Sequence, residues 1–310
     1  MFVVCGEALF DVFAAGETPT GLLLDARVGG SPFNVAVGLA RLAQPVCFLT
    51  QVSQGFLGER LMRALQAEGV DTRAVQRSSA PTTLSLVGVD ARGAPCYTFY
   101  GQGGADRLLS PAALDALPAA GVRAIQLGSY ASVVGPAAAT LRTLVERAQG
   151  RSLIAYDPNI RLAVEPDLAV WRAQIEWMLP RTDLLKLSEE DLALVYPGRT
   201  SADFAAAALA CGVGCVVLTR GALGAVAWSG AGQVEAAPVE AAVIDTVGAG
   251  DTFQAALLTW LAEHQALSAT ALAALPRPAL GEALAFAAQA AAITCSRRGA
   301  DLPRRAELPA

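Results

Sequence analysis

Residues 245–253 read DTVGAGDTF: Gly248, Ala249 and Gly250 are nearly bare of side chains, and a carboxylate, Asp251, stands directly behind them. After Ala249, the apolar residues Phe253, Ala256, Leu257, Trp260 and Leu261 recur at helical spacing, which predicts a core-packed helix beginning in the GAG turn. The first amides of such a helix lack intrahelical acceptors, and the helix dipole makes that end attractive to anions. Bare residues let an anion approach those amides closely. Taken alone, the stretch reads more simply as a tight turn at Gly248 and Gly250 with Asp251 as a helix cap. The rest of the chain tips the balance.

The chain has 310 residues, 54% of them hydrophobic, and a formal charge of −5. That is enough apolar sequence for one large α/β domain spanning 1–310. Lys and Arg are scattered, so no nucleic-acid partner is expected. The start, MFVVCGEALFDV, lacks the pattern of a secretory signal. The longest uncharged run, Phe204 to Thr219, is shorter than the roughly 20 residues of a spanning helix. With Gly212 and Gly214 inside it, it reads as helix, turn, strand, and no membrane association is expected. Six cysteines (Cys5, Cys47, Cys96, Cys211, Cys215, Cys295) include no CxxC pair, consistent with a reduced, cytoplasmic setting. The single histidine, His264, sits in the polar end of a helical segment, which argues against a Ser-His-Asp triad or a His-rich metal site.

Short apolar runs alternate with longer Ala/Leu-rich segments. Strands are predicted at 2–6, 46–52, 124–128, 153–157, 183–187 and 215–219, and helices at 34–42, 59–68, 137–149, 171–179 and 202–209. The alternation predicts a mostly parallel sheet covered by helices on both faces, with the site at the carboxyl ends of the strands. Residues 12–28 and 82–100 break the pattern. They read as β-hairpins turning at GETPTG and DARGAP, and form either a lid over the site or an ordinary edge extension.

Two further stretches accompany the GAG turn. In VGGSPFNVAVGLARL (28–42), Gly29 and Gly30 allow close approach to a ligand and Asn34 offers a donor and an acceptor to a hydroxyl. Asp11, just after the first strand, has two oxygens for adjacent hydroxyls. In TRGALG (219–224), Thr219, Gly221 and Gly224 follow a strand in a manner that suits a nucleotide phosphate. There is no GxxxxGKS or GxxxxGKT loop and no GxGxxG joining a strand to a helix, so the P-loop and dinucleotide-dependent oxidoreductase readings fail.

Taken together, these stretches resemble the ribokinase-like (PfkB-type) carbohydrate kinases over nearly the whole chain. DTVGAGDTF is similar to the C-terminal signature of that family and GGSPFNVAVGLARL to the N-terminal one; DPNIR (157–161), KLSEEDL (186–192) and SRRGADLP (296–303) resemble the fructokinase branch. The resemblance implies a three-layer α/β/α fold with a small β-sheet lid, and ATP-dependent phosphoryl transfer to a sugar hydroxyl. By that analogy Asp251 is the catalytic base and Gly248, Ala249 and Gly250 form the anion hole. Asp11, Gly30, Asn34 and Asp251 hold the sugar. Thr219, Gly221 and Gly224, together with Gly248 and Gly250 and with Lys186 and Ser188 near them, serve the nucleotide. Where many relatives carry Asn-x-x-Glu for magnesium, this chain departs with Ser188-Glu189-Glu190-Asp191, and Asp for Glu shortens the last arm; by the resemblance Mg2+ is still expected with ATP, with Asp191 as its candidate contact through water. Asp245 and the SRRGA loop resemble a potassium-binding neighbourhood.

Ser31-Pro32 after the glycine pair, in place of basic residues, favours a neutral sugar, and D-fructose is the leading acceptor. Kinases of acidic keto-sugars commonly place Arg after a tyrosine pair on the lid, whereas Gly101 follows Phe99-Tyr100 here. Arg161 still offers an anion contact, which keeps 2-keto-3-deoxygluconate as the alternative; nucleoside kinases share the two main signatures but not DPNIR or SRRGA. A sugar-sensing regulator without catalysis is the reading from another class, and the intact Asp251 and GAG turn speak against it. Tyr97, Phe99, Leu22, Leu23 and Leu24 lie on the two hairpins and are expected to pack over the sugar or across a homodimer contact.

Overall fold

The computed structural model describes residues 1–89 and 95–309; the side chains of 89 and 95–97 lie outside the described set. The strands are β1 (Phe2–Cys5), β2 (Leu9–Thr18), β3 (Gly21–Gly29), β4 (Val46–Ser53), β5 (Val75–Ser78), β6 (Leu84–Val89), β7 (Pro95–Tyr100), β8 (Ala124–Gly128), β9 (Leu153–Asp157), β10 (Leu184–Ser188), β11 (Cys215–Thr219), β12 (Ala225–Ser229) and β13 (Gly232–Ala236). The helices are α1 (Ser31–Arg41), α2 (Phe56–Ala67), α3 (Ala137–Ala148), α4 (Leu168–Met178), α5 (Glu189–Val195), α6 (Ser201–Ala210), α7 (Ala249–Glu263), α8 (Ala269–Ala273) and α9 (Arg277–Cys295).

The described residues form a nine-stranded sheet in the order β13-β12-β11-β10-β9-β8-β1-β4-β5. Pairing is parallel from β5 to β11, and β12 and β13 add an antiparallel edge. Alternate residues of β1 enter opposite cores: Phe2 and Val4 pack with α1, α7 and α9, whereas Val3 and Cys5 pack with α3, α4 and α6. Burial on both faces is why the central strands read as unbroken apolar runs. This is the ribokinase-like three-layer arrangement expected from the sequence.

A second, four-stranded sheet has the order β3-β2-β6-β7. Its strands begin at Leu9 rather than at residue 12, because Leu9 already pairs with Gly29. The first hairpin turns at residues 19–20, inside GETPTG. The second turn, within DARGAP, falls at residues outside the described set. Leu22, Leu23 and Leu24 on β3 are more than half exposed and do not line the cleft described below, so they do not pack over a bound sugar in this conformation.

Helix α7 is buried along nearly its whole length. Gln254 Nε2 donates to Gln126 Oε1 on β8 at 2.6 Å, tying the helix to the centre of the sheet. Helix α1 lies beside it. A side chain at Gly38 would come within 2.8 Å of the Ala255 methyl, so the glycine lets the two helices approach. Their N-termini therefore open into the same space. His264 caps the other end of α7, its ring stacked on Trp260 at 3.7 Å, as an ordinary helix-end residue.

Candidate active site

At the carboxyl ends of the parallel strands, beneath the second sheet, lies a cleft of about 1130 Å³. Asp11, Gly30, Asn34, Phe99, Arg161, Lys186, Ser188, Asp191, Thr219, Gly221, Gly248, Gly250 and Asp251 all line it. Residues far apart in sequence meet here because the parallel strands all deliver their following loops to one edge.

Asp251 is buried in the first turn of α7. Its Oδ1 accepts from Ser31 Oγ at 2.6 Å and its Oδ2 from Asn34 Nδ2 at 2.8 Å. Each oxygen keeps a further lone pair, so the carboxylate is oriented but not saturated. Burial pushes its pKa above the usual carboxylate value, while the Ser31 and Asn34 hydrogen bonds and the charges of Lys186 and Arg161 pull it back. Ser31 was read in the sequence only as a mark of a neutral substrate. Its bond to Asp251 spans 220 positions and follows from the packing of α1 on α7.

Gly248 caps α7 in the left-handed conformation at φ 79, where a side chain would also strike Ala300. Of the three residues expected to form the anion hole, Gly248 and Gly250 line the cleft, whereas Ala249 does not and its amide donates to the Thr246 carbonyl at 3.2 Å. Among the described residues no group accepts from the amides of Gly250 and Asp251. A side chain at Gly250 would sit 3.2 Å from Lys186 Nζ, so the glycine brings that ammonium against the positive end of the helix. Lys186 is itself buried and held by Asp157 Oδ2 at 2.7 Å. Asp157, the first residue of DPNIR, was not singled out as a site residue; only the β9–β10 pairing brings it to Lys186.

Other expected residues divide. Burial raises Asp11 to about 6, with the Ser85 hydroxyl and Arg161 opposing and Asp251 and Asp245 adding to the rise. Phe99 meets Tyr130 edge-on at the cleft wall, with ring centres 6.0 Å apart. The side chain of Tyr97 lies outside the described residues. Gly224 does not line the cleft; it turns the chain at φ 85 from β11 towards β12, against the backbone of Ala236. Ser188 caps α5, its Oγ accepting from the Asp191 amide at 3.0 Å, and the three acids that follow occupy the first turn of that helix. Asp191 also accepts from the Ile160 amide at 3.3 Å, and burial followed by the like charge of Asp157 raises its pKa. Asp245 lies off the cleft and bridges two loops, accepting from the amides of Val247 at 3.0 Å and Gly299 at 2.8 Å.

Known proteins match along the same length. A fructokinase of Rhizobium leguminosarum bv. trifolii is 32% identical over 280 residues, covering 90% of this chain and 85% of its own. A fructokinase of Klebsiella pneumoniae is 33% identical over 274 residues, 84% of each chain. The crystal structure of a fructokinase from Xylella fastidiosa with bound ATP superimposes with a TM-score of 0.85 at 24% identity, over 99% of this chain and 94% of that one, and so shares the fold. The pattern of the pfkB family carbohydrate kinases runs over residues 2–306, from the first strand through the GAG turn to the C-terminal segment, and the chain belongs to that family.

Proposed function

We propose that the protein transfers the γ-phosphoryl group of ATP to a free hexose, with D-fructose as acceptor and fructose 6-phosphate as product. The observation that carries this reading is Asp251: a buried carboxylate held by Ser31 and Asn34 at the open N-terminus of α7, inside a cleft large enough for a sugar and a nucleotide together. The fructokinase relatives support the acceptor, and the ATP bound in the Xylella fastidiosa enzyme supports the donor. Phosphoryl transfer asks for positioning, charge stabilisation and an acceptor for the hydroxyl proton. Asp251 takes that proton. The amides of Gly250 and Asp251, the helix dipole and Lys186 stabilise the negative charge that builds on the transferred group. Asp11 and Asn34 face the sugar hydroxyls, and Thr219 and Gly221 line the nucleotide end.

Magnesium fits the acidic wall opposite: Asp191 and Asp157 are close enough for their charges to oppose each other, and Asp157 Oδ1 has no partner among the described residues. A divalent cation relieves that repulsion and would neutralise phosphate charge when bound. Asp191, through water, is the proposed contact. Potassium is proposed at the Asp245–Gly299 bridge; structures of a Vibrio cholerae fructokinase hold a calcium or a potassium ion. The exposed leucines of β3 are proposed to meet a second copy of the chain.

A coupled assay with ATP across fructose, ribose, glucose, 2-keto-3-deoxygluconate and adenosine tests the acceptor. Fructose is expected to give the highest kcat/KM. Preference for 2-keto-3-deoxygluconate, the second reading, would point to Arg161, which lines the cleft as an available anion contact. Against it stands Asp11 on the same wall, whose carboxylate favours a neutral ligand.

A further inference from the structure

The cleft holds a carboxyl group for which the chemistry above has no use. Glu7, in the GEAL stretch between β1 and β2, lines the cleft and is only 1% exposed. Its Oε2 has no hydrogen-bond partner among the described residues. Ser129, at the end of β8, lines the same wall, is also 1% exposed and has an equally unpartnered Oγ. The Ser129 backbone stands at φ 51, ψ −163, a region that residues with side chains rarely occupy. Strain of that kind costs about 1–3 kcal/mol and clusters where function over-determines a conformation. A buried polar atom left unpaired carries a penalty of similar size. Two such atoms and a strained backbone on one face of a ligand cleft point to a group that arrives from outside the protein.

We propose that Glu7 and Ser129 form a specificity-determining pair for the acceptor sugar, with Glu7 as a hydrogen-bond donor to a sugar hydroxyl. The inference rests on the cleft around Asp251 being the sugar site. Both terminal atoms are buried in a wall of the cleft that Asp11, Asn34 and Asp251 also line. Burial raises Glu7 to about 8; the Ser129 hydroxyl, near the carboxyl but not completing a hydrogen bond to it, and Arg161 offset part of that penalty, and Asp106 adds to it. Tyr130, which also faces it, stays a neutral phenol donating to Asp106 at 2.7 Å. At neutral pH Glu7 is thus a neutral acid, able to donate as well as accept, where Asp11 and Asp251 serve as acceptors. The wall then offers both hydrogen-bonding polarities to a polyol. Sites that pair a hydroxyl through buried polar groups discriminate strongly, because an ill-fitting ligand leaves those groups unsatisfied.

The test measures sugar KM, nucleotide KM and kcat for Glu7→Gln, Glu7→Ala and Ser129→Ala, using whichever sugar the parent phosphorylates best. Glu7→Gln keeps a donor and should hold sugar KM within a few-fold of the parent at pH 7. Glu7→Ala should raise sugar KM by roughly 10- to 100-fold, the equivalent of one lost buried hydrogen bond, with nucleotide KM unchanged. Ser129→Ala should raise it less. Above pH 8 the parent should lose sugar affinity and Glu7→Gln should not. Nucleotide binding by each variant reports folding. If folded Glu7→Ala and Ser129→Ala keep the parental sugar KM, or if Glu7→Gln is as impaired as Glu7→Ala, the pair has no role in sugar recognition. A parent that phosphorylates no sugar overturns the proposed function itself, and this inference with it.

Discussion

Asn34 Nδ2 donates to Asp251 Oδ2 at 2.8 Å, joining the first turns of two helices that lie 217 positions apart in sequence. That bond and its Ser31 counterpart fix the direction in which the Asp251 lone pairs point. They also favour the charged form that a general base must have.

Asp251→Asn preserves the shape of the side chain in the first turn of α7 but cannot take a proton. It should lower kcat by roughly 10²- to 10⁴-fold, with melting temperature and ATP affinity close to those of the parent. Measuring the three on one preparation separates loss of the base from loss of the fold or of the nucleotide site. Turnover near the parental rate would remove Asp251 from the chemistry.

Ser31→Ala deletes one of the two donors that hold the Asp251 pKa down. The folded pKa should rise, so the acid limb of the kcat–pH profile should move to higher pH while the alkaline side stays in place. If Asp251 were not the titrating base, the limb would not move.

Glu7 gives a linkage prediction that does not depend on substrate. Its folded pKa is raised from 4.5 to about 8, so between those values the folded chain retains a proton that the unfolded chain has lost. Stability therefore falls as pH rises through this window, by up to about 1.4 kcal/mol per pH unit from this group. Glu7→Gln should flatten the decline relative to the parent in melting curves from pH 5 to 8. Parallel curves for the two proteins would place the Glu7 pKa near its ordinary value.

The exposed leucines of β3 should be felt in assembly rather than in chemistry. Substituting Leu22 and Leu24 with Ser is expected to lower the molecular mass seen in sedimentation from dimer to monomer, with sugar KM changed by less than a few-fold, since neither residue lines the cleft. A parent that sediments as a monomer, or variants that remain dimeric, would exclude the lid as a dimer contact.

The central parallel strands were legible because burial on both faces demands continuous apolar runs. β8, β9 and β11 fall at the predicted positions 124–128, 153–157 and 215–219. The short β5, VQRS, and the edge strand β13 are only partly buried, carry no such demand and were not predicted, and the buried β12, AVAWS, was missed as well. The GAG turn, its helix and the acid behind it were likewise readable, since local backbone chemistry alone requires bare residues and a carboxylate at a helix start. Which groups face one another was not. Ser31 meeting Asp251, Lys186 meeting Asp157 and Gly250, and the lack of a partner for Glu7 Oε2 among the described residues all depend on burial and on loops gathered at one sheet edge. A side chain's pKa and partners are set by neighbours through space. Here those neighbours lie tens to hundreds of positions away, so composition and local pattern determined the scaffold and the chemistry-bearing types, and packing alone decided which of them act together.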